Sequence, residues 1–301
     1  MPSNTTFKKV RDKLKFGFPI GPLQPEVLEL FRAASYDIKF SGELQKINID
    51  DKEIDCVLVR PIPMATLIEK GFLDAGVSTD SAVLETKAKV NIVCDLEYLK
   101  PAFGKMKLVV GAPEDSKIRT LKDLNGKKII TRVPNISKDF LKKNKVRAEI
   151  LYSDAPLNES IVGVAADAII EFFLFGDFFK AYKLRVLETI LERSLILIAN
   201  KESLKNNWKK EKIENLAMLL KGARLGQEMA GLMLHAANDA MEDVLKILPS
   251  LKKPTITQLR GENWFDVLTV ANKKEIRKII PKLKKIGCAS IVEFPLNKVV
   301  L

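Results

Sequence analysis

The chain has 301 residues, of which 47% are hydrophobic, and a formal net charge of +12 at pH 7. This length predicts two or three domains with ample core, and the composition is that of an ordinary soluble globular protein. The three cysteines, Cys56, Cys94 and Cys288, lie far apart without CxxC spacing, which favours free thiols in a reducing compartment and argues against a zinc site.

The N-terminus and the distribution of charge restrict the class of protein further. There is no apolar core of a secretory signal and no run of about 18 uncharged apolar residues, so we expect a cytoplasmic protein that does not span a membrane. The lysine-rich segments are spread out and aromatic residues do not interleave with them, so nucleic-acid binding is disfavoured, whereas anionic small ligands fit the charge. These segments are Lys8–Lys15, Lys138–Lys145, Lys205–Lys212 and Lys273–Lys285.

Strands and helices alternate through the first 230 residues, as judged from the apolar pattern. The predicted strands are Lys13–Pro19, Glu53–Val59, Ala75–Val77, Val90–Cys94, Lys107–Ala112, Lys128–Thr131, Ala148–Leu151, Ala168–Phe173 and Leu195–Ala199. The predicted helices are Gln24–Ser35, Met64–Lys70 with Gly71 as its cap, the short Leu121–Leu124, one from Ser137, Phe178–Tyr182 and Lys209–Leu234. This alternation predicts an α/β architecture with largely parallel sheets.

The last 75 residues predict a separate small module of βαββαβ type. After the apolar stretch Met233–Ala236 come a helix, two strands, a second helix and a final strand. Their predicted bounds are Ala240–Leu248, Thr255–Leu259, Trp264–Ala271, Lys274–Ile286 and Ser290–Glu293.

The segment Gly163–Phe179 has the layout of a strand, a turn and a helix start, where the backbone N–H groups of a helix N-terminus can bind a phosphate. The turn itself carries one glycine and no hydroxyl, among phenylalanines and acids. An aromatic cluster is more often core than binding site, so we favour a packed apolar turn here.

Several strings together resemble the long form of ATP phosphoribosyltransferase. The strongest are Leu187–Ser194, Leu197–Asn200, Leu248–Thr255, Ile286–Val292 and Pro295–Lys298; weaker ones are Val59–Pro61, Asp74–Gly76, Phe103–Gly104, Ala112–Ser116 and Gly163–Asp167. The resemblance runs in order from about Lys13 to Leu301 and covers nearly the whole chain.

The resemblance implies a fold and an activity. The fold would be two type II periplasmic-binding-protein-like domains around a cleft, residues 1–103 with 187–222 and residues 104–186, followed by a ferredoxin-like or ACT-like regulatory domain, residues 223–301. The activity would be transfer of phosphoribosyl from phosphoribosyl pyrophosphate (PRPP) to N1 of ATP with Mg²⁺, the first step of histidine biosynthesis. The family also implies a dimer or hexamer and feedback inhibition by histidine.

The departures from the family cluster where phosphate would bind. In the family's PRPP loop an acid precedes a turn rich in hydroxyls; here Glu171 and Gly176 keep the acid and the glycine, while Leu174, Phe175 and Phe178 replace hydroxyls and Asp177 adds a negative charge. Each charge-assisted hydrogen bond that is lost would cost about 1.5–3 kcal/mol.

Three further segments depart from the family, and several candidate residues remain. The first turn, Ile20-Gly21-Pro22, lacks the family's lysine and arginine, and Pro63-Met64-Ala65 replaces an Asp-Ile-Pro string. After Asp74-Ala75-Gly76 the family has Gly-x-Asp, which Ser78-Thr79-Asp80-Ser81 does not match. The substrate-binding candidates by resemblance are Gly21, Arg60, Asp80, Lys107, Arg132, Glu159, Glu171 and Gly176, and the effector candidates are Leu251 and Thr255. Lys253 and Ala237 depart from the effector pattern, and we expect no protein-only metal site and no catalytic role for His235.

Three readings stay open on the sequence. The first is an active enzyme in which Lys107, Arg132 or Arg60 substitute for the missing phosphate ligands. The second is a catalytically silent homologue that binds a ligand or regulates an active paralogue, as the missing hydroxyls and first-turn cations suggest. The third is a solute-binding module by fold analogy, against which the missing signal peptide counts.

Overall fold

The computed structural model describes residues 13–41, 46–97, 106–155, 157–173, 177–249, 251 and 253–301. These residues form two compact units. The first contains the described residues up to Gln24 together with Lys39–Ile213, and the second contains Pro25–Ile38 with Glu214–Leu301. Among the described residues no helix is both long and apolar enough to cross a membrane.

Sixteen strands and eight α-helices account for the described elements. The strands are β1 Leu14–Pro19, β2 Ile38–Ser41, β3 Lys46–Ile49, β4 Ile54–Val59, β5 Ala75–Thr79, β6 Asn91–Asp95, β7 Met106–Pro113, β8 Lys128–Thr131, β9 Glu149–Tyr152, β10 Ala168–Phe173, β11 Leu184–Arg193, β12 Leu195–Ala199, β13 Met229–Ala237, β14 Thr255–Gln258, β15 Trp264–Asn272 and β16 Ala289–Pro295. The helices are α1 Gln24–Ala33, α2 Pro61–Glu69, α3 Asp80–Thr86, α4 Pro134–Lys143, α5 Asp177–Ala181, α6 Asn207–Glu228, α7 Met241–Ile247 and α8 Lys273–Lys285.

The first unit contains two five-stranded sheets built on one plan. The first sheet has the order β4-β1-β5-β12-β6 and the second the order β11-β7-β10-β8-β9. In each, three neighbouring strands are parallel, and a fourth runs antiparallel to both of its neighbours: β12 in the first sheet and β7 in the second. The expectation of largely parallel sheets is therefore wrong in part, because β7 and β12 are the strands that the chain enters on crossing from one sheet to the other.

Continuous apolar runs place the central strands of both sheets in the core. Every residue of β12 is buried, as are Phe16 and Phe18 of β1 and the apolar residues Ala168–Ile170 of β10. Gly17 and Gly76 face each other where β1 pairs with β5. A Cβ on Gly76 would lie 2.8 Å from the Gly17 carbonyl oxygen and 2.8 Å from the sulfur of Met64, so the close approach of these strands to α2 requires glycine.

The second unit contains a four-stranded antiparallel sheet of order β14-β15-β13-β16. Residues from α7 and α8 pack with alternate residues of β13 in one core, including Leu232, Leu234, Val244, Ile276 and Leu283. The chain order β13-α7-β14-β15-α8-β16 confirms the predicted βαββαβ module.

Several element predictions need correction. The helix predicted to run to Leu234 ends at Glu228, and residues from Met229 form β13 because they pair with β15 and β16, which are distant in sequence. The ten-residue edge strand β11 was missed because its side chains alternate irregularly between apolar and charged, and the short elements β2, β3 and α3 were also missed. Helix α4 begins at Pro134, before the predicted start at Ser137, whose hydroxyl donates inside the helix to the Val133 carbonyl, 2.8 Å away.

Candidate functional site

A carboxylate cluster lies at the carboxyl edge of the second sheet. Because β8, β9 and β10 are parallel, the residues that follow them lie at one edge. Glu171, near the end of β10, is only 3% exposed, and its Oε2 accepts hydrogen bonds from Arg132 Nε at 2.8 Å and from Asn158 Nδ2 at 3.1 Å. Its Oε1 accepts from the backbone N–H of Phe172 at 2.9 Å. The buried carboxylate is therefore paired and hydrogen-bonded, as a buried charge must be.

Glu159 lies in the same cluster with a different electrostatic environment. Burial raises the pKa of the Glu159 carboxyl, and the negative charge of Glu171 adds to the rise, while a backbone hydrogen bond and Arg132 oppose it. The two carboxyls therefore differ in their surroundings: Glu171 has Arg132 as a direct ion-pair partner, whereas burial disfavours the charged form of Glu159.

The carboxyl edge of the first sheet brings together three sequence-predicted residues. Gly21 follows β1 with φ +92°, Arg60 follows β4, and Asp80 follows β5. At Gly21 the left-handed backbone explains why glycine is present in a turn that has lost its charges. Burial raises the pKa of Asp80, against the opposing effects of backbone N–H groups and the positive charge of Arg193.

Contacts within the first unit link the two sheets. Arg60 Nη1 donates to the Asp154 carboxylate, which follows β9. The Glu85 carboxylate of α3 accepts from the backbone N–H groups of Asn135 at 3.0 Å and Ile136 at 2.9 Å, at the start of α4. These contacts connect the two sheets, so the candidates after β1, β4 and β5 and those after β8, β9 and β10 belong to one candidate site.

The aromatic segment after β10 packs inward where the structure describes it. Phe179 is buried, and its ring contacts Phe173 edge-to-face with centroids 5.2 Å apart. A Cβ on Gly111 would lie 2.5 Å from the Phe179 ring, so the small residue in β7 makes room for it. These two rings are packed, as we expected for an apolar turn, whereas Phe178 is exposed. Gly176, Leu174 and Phe175 lie outside the described residues.

Each of the three cations proposed as substitute phosphate ligands faces a carboxylate. Arg60 pairs with Asp154, Arg132 pairs with Glu171, and Lys107 Nζ lies 3.9 Å from Glu192 Oε1. The second and third of these pairs join neighbours in the second sheet. Any anionic substrate at these positions would compete with the carboxylates for the cations.

Two residues at the site were missed by sequence reasoning. Asn158 lies in a 3₁₀ turn, is fully buried, and donates to both Glu171 and the Ser153 carbonyl. Arg193, the last residue of β11, places its guanidinium carbon 4.2 Å from the centroid of the Phe172 ring. A single asparagine in a turn gives no sequence signal. Arg193 lies within Leu187–Ser194, a string that indicated only the resemblance to the family.

The effector candidates lie in the second unit. The N–H of Leu251 donates to the Val270 carbonyl at 3.2 Å, and Thr255 opens β14 opposite Leu268 of β15. Ala237 ends β13. His235 lies in β13 with Nε2 4.0 Å from Asp266 Oδ1, within the sheet of this unit.

The site has carboxylates but no group of three metal-ligating side chains. In the part of the chain that the structure describes, no set of three or more His, Cys, Asp or Glu residues could hold a metal ion. A divalent cation here would need ligands from a bound substrate, as Mg²⁺ commonly takes from phosphates with one or two carboxylates.

Comparison with known proteins identifies the family of the chain. The family description "ATP phosphoribosyltransferase" matches residues 60–222, and "HisG, C-terminal domain" matches residues 226–298. An ATP phosphoribosyltransferase of Thermodesulfovibrio yellowstonii is 42% identical over 292 residues, covering 97% of this chain and 100% of that protein. The one from Chlorobium phaeobacteroides is 39% identical over 291 residues, covering 97% and 99%.

A solved structure supports the fold. The "ATP phosphoribosyl transferase (HisG:HisZ) complex from Thermotoga maritima" matches with a TM-score of 0.56 at 20% identity, covering 69% of this chain and 98% of that one. At this identity the likeness concerns the fold, and it confirms the α/β class that the resemblance implied. With family matches in both parts of the chain and relatives that align from end to end, the chain belongs to the ATP phosphoribosyltransferase family.

Proposed function

We propose that the chain transfers phosphoribosyl from PRPP to N1 of ATP, the first step of histidine biosynthesis. The observation that carries this proposal is the 42% identity over 97% of the chain to an ATP phosphoribosyltransferase. The cluster of buried and paired charges where the carboxyl edges of both sheets meet adds support, because ligands of open α/β sheets bind at such edges.

The reaction requires displacement at one carbon. N1 of adenine provides the electron pair for a new bond to C1′ of PRPP, the C1′–oxygen bond breaks, and pyrophosphate leaves with that electron pair. A proton leaves the adenine amino group as the product forms. The site must therefore orient two large anions and stabilise negative charge on the departing pyrophosphate.

The candidate residues suggest which groups would bind the phosphates and which would orient them. Arg60, Lys107 and Arg132 are the candidate cations for the phosphates, and Arg60 and Lys107 would exchange their present carboxylates for substrate oxygens. Arg132 is fixed by Glu171, which is in turn held by Asn158, so its guanidinium is oriented in advance. Gly21 allows close approach of backbone to ligand.

We propose that magnesium enters the site bound to the substrate. Mg²⁺ bound to PRPP would neutralise pyrophosphate charge, and Asp80 is a carboxylate at the edge that could complete its coordination. We also propose a cytoplasmic protein, consistent with three free cysteines.

For assembly and regulation, we propose what membership of the family implies. We propose three domains, residues 1–103 with 187–222, residues 104–186 and residues 223–301, and a dimer or hexamer inhibited by histidine through the last domain, near Leu251 and Thr255. Light scattering with and without histidine tests the assembly state, and a histidine titration of turnover tests the inhibition.

The decisive experiment is direct measurement of phosphoribosyl-ATP from ATP, PRPP and Mg²⁺, with pyrophosphatase present to remove product. We expect turnover that depends on all three components. Folded protein that shows no turnover would overturn the proposal in favour of the silent homologue, and the search would move to an active paralogue as partner.

A further inference from the structure

The ion pair between Arg60 and Asp154 joins the two sheets at the candidate site. Arg60 directly follows β4 at the carboxyl edge of the first sheet, and Asp154 lies two residues beyond the end of β9 at the carboxyl edge of the second. The Arg60 guanidinium donates from Nη1 to the Asp154 carboxylate, although 94 positions separate the two residues in the sequence. One member of the pair is therefore a candidate phosphate ligand, and the other is a carboxylate from the other sheet.

Both members of this pair are open to solvent, and in the described parts of the chain neither side chain has another hydrogen-bond or ion-pair partner. The side chains of Arg60 and Asp154 are 56% and 45% exposed. Arg60 is the N-cap residue of α2, but its side chain makes no capping hydrogen bond. An ion pair this exposed contributes little to stability, so an anion can open it at small cost.

The pair of Arg132 and Glu171 is built differently. Glu171 is 3% exposed, and its carboxylate also accepts hydrogen bonds from Asn158 and from the Phe172 N–H. Separating Arg132 from Glu171 would leave a buried charge without its ion-pair partner, which is unfavourable. Of these two arginines, Arg60 is therefore the one that can exchange its carboxylate for a phosphate.

Asp154 opposes the binding of an anionic ligand at Arg60 in two ways. The carboxylate holds the guanidinium that the ligand needs, and its negative charge repels the ligand. The first turn, Ile20-Gly21-Pro22, lies at the same edge of the first sheet and contains no cation that could compensate. The affinity for a phosphate at this place is thus limited by a residue that does not itself bind the phosphate.

We propose that Asp154 gates the candidate site: its carboxylate occupies Arg60 until a phosphate of PRPP displaces it, and this competition lowers the affinity for PRPP. The inference rests on the proposed function. Because the two residues come from different sheets, the exchange replaces a bond between the sheets with bonds from Arg60 to the substrate. The competition has a specific consequence, which is that a neutral residue of the same shape in place of Asp154 should strengthen PRPP binding.

The test is a double-mutant cycle in the full chain, with PRPP binding measured by titration calorimetry in the presence of Mg²⁺. Asp154→Asn removes the charge and keeps the shape, Arg60→Met removes the cation, and a third variant carries both changes. Asp139→Asn is the matched control, because Asp139 is also an exposed carboxylate, with Oδ2 3.8 Å from Nζ of Lys87, which is no candidate ligand. Thermal unfolding verifies that each variant is folded, and Asp154→Ser replaces the asparagine variant if that one does not fold.

We expect Asp154→Asn to lower the Kd for PRPP about threefold to tenfold and to lower the KM for PRPP with it, while the KM for ATP changes less than about twofold. In the Arg60→Met background the same change should alter the Kd less than about twofold, and Asp139→Asn should bind PRPP like the unaltered protein. Folded Asp154→Asn with unchanged or weaker PRPP binding would overturn the inference. An equal gain in Asp139→Asn, or a gain that persists without Arg60, would overturn it as well.

Turnover by the unaltered protein decides the proposed function separately. PRPP binding without turnover would reject that function and leave the calorimetric cycle to decide on Asp154. PRPP binding by Asp154→Asn but not by the unaltered protein would support the gate, and binding by neither would reject both the gate and the function.

Discussion

At the scale of single residues, buried carboxylates divide into scaffold and site. Asp74 belongs to the scaffold: it is 5% exposed and accepts hydrogen bonds from the Lys15 backbone N–H at 2.8 Å, Ser203 Oγ at 2.6 Å and Lys209 Nζ at 2.8 Å. It immediately precedes β5, at the edge opposite the candidate site. Glu159 and Glu171 belong to the site edge, where one carboxyl is paired with a cation and the other is disfavoured as an anion.

Replacing Asp74 with alanine should destabilise the first unit strongly. The change leaves the half-buried Lys209 ammonium and two other donors without their acceptor, so we expect a loss of about 2–4 kcal/mol in the free energy of unfolding. Denaturant unfolding measures it. Lys205→Met, which removes an exposed ion pair with Glu202, should cost less than about 1 kcal/mol. A loss at Asp74 no larger than this control would contradict the scaffold role.

Glu159→Gln should change how stability depends on pH. Burial raises the pKa of Glu159 in the folded state, so between its ordinary value of 4.5 and the raised value the folded protein keeps a proton that the unfolded chain releases. The contribution of this group to stability therefore falls as pH rises through that window. The glutamine variant cannot lose a proton, so its stability relative to the unaltered protein should rise with pH across the window and stay level above it. Urea unfolding at a series of pH values measures the difference, and a difference independent of pH would reject the assignment.

At the scale of elements, the burial of a strand determined whether its bounds could be predicted from the sequence. The bounds of β8, β10 and β12 agree with those predicted, because each contains a short run of buried apolar residues. The edge strand β11 has no such run, and β13 follows the helix α6 directly, with the nearby glycines Gly226 and Gly231 lying inside the helix and inside the strand instead of at the boundary. Local propensity favours helix there, and pairing with β15 and β16 overrides it.

The contact between β1, β5 and α2 leads to a prediction about two glycines. In Gly76→Ala the new methyl would lie 2.8 Å from a backbone oxygen of Gly17, whereas in Gly17→Ala it would meet only side chains, Met64 at 2.9 Å and Leu73 at 3.1 Å. Backbone atoms cannot move aside as side-chain atoms can. We therefore expect Gly76→Ala to lower the free energy of unfolding by about 2–3 kcal/mol and Gly17→Ala to lower it distinctly less. Thermal or denaturant unfolding of the two variants decides it; an equal or reversed order would contradict the packing argument.

At the scale of the whole molecule, the first unit depends on contacts that join its two sheets. Glu85 of α3 is buried, and its carboxylate binds the first N–H groups of α4 in the other half of the unit. A negative group at a helix N-terminus satisfies donors that have no partner within the helix. Because the Glu85 carboxylate satisfies the first donors of α4, its loss should affect the start of α4 before it affects either sheet.

Glu85→Ala should therefore expose the start of α4. We expect a loss of about 1–3 kcal/mol in stability and faster amide hydrogen exchange at Asn135 and Ile136, with β8 protected as before. Glu85→Gln, which keeps one acceptor, should lie between. Unchanged exchange at Asn135 and Ile136 in the folded alanine variant would show that this contact does not hold the two halves together.

The sequence by itself determined the α/β class, the βαββαβ module, the family and most central strands, because apolar runs and characteristic strings are local properties of the chain. The tertiary structure alone decided that Arg60, Arg132 and Lys107 each face a carboxylate, that Asn158 holds Glu171, and that Arg193 lies against Phe172 at the junction of two sheets. These partners are separated by up to about a hundred residues along the chain; strand pairing within the second sheet brings most of them together, and contact between the two sheets brings Arg60 to Asp154.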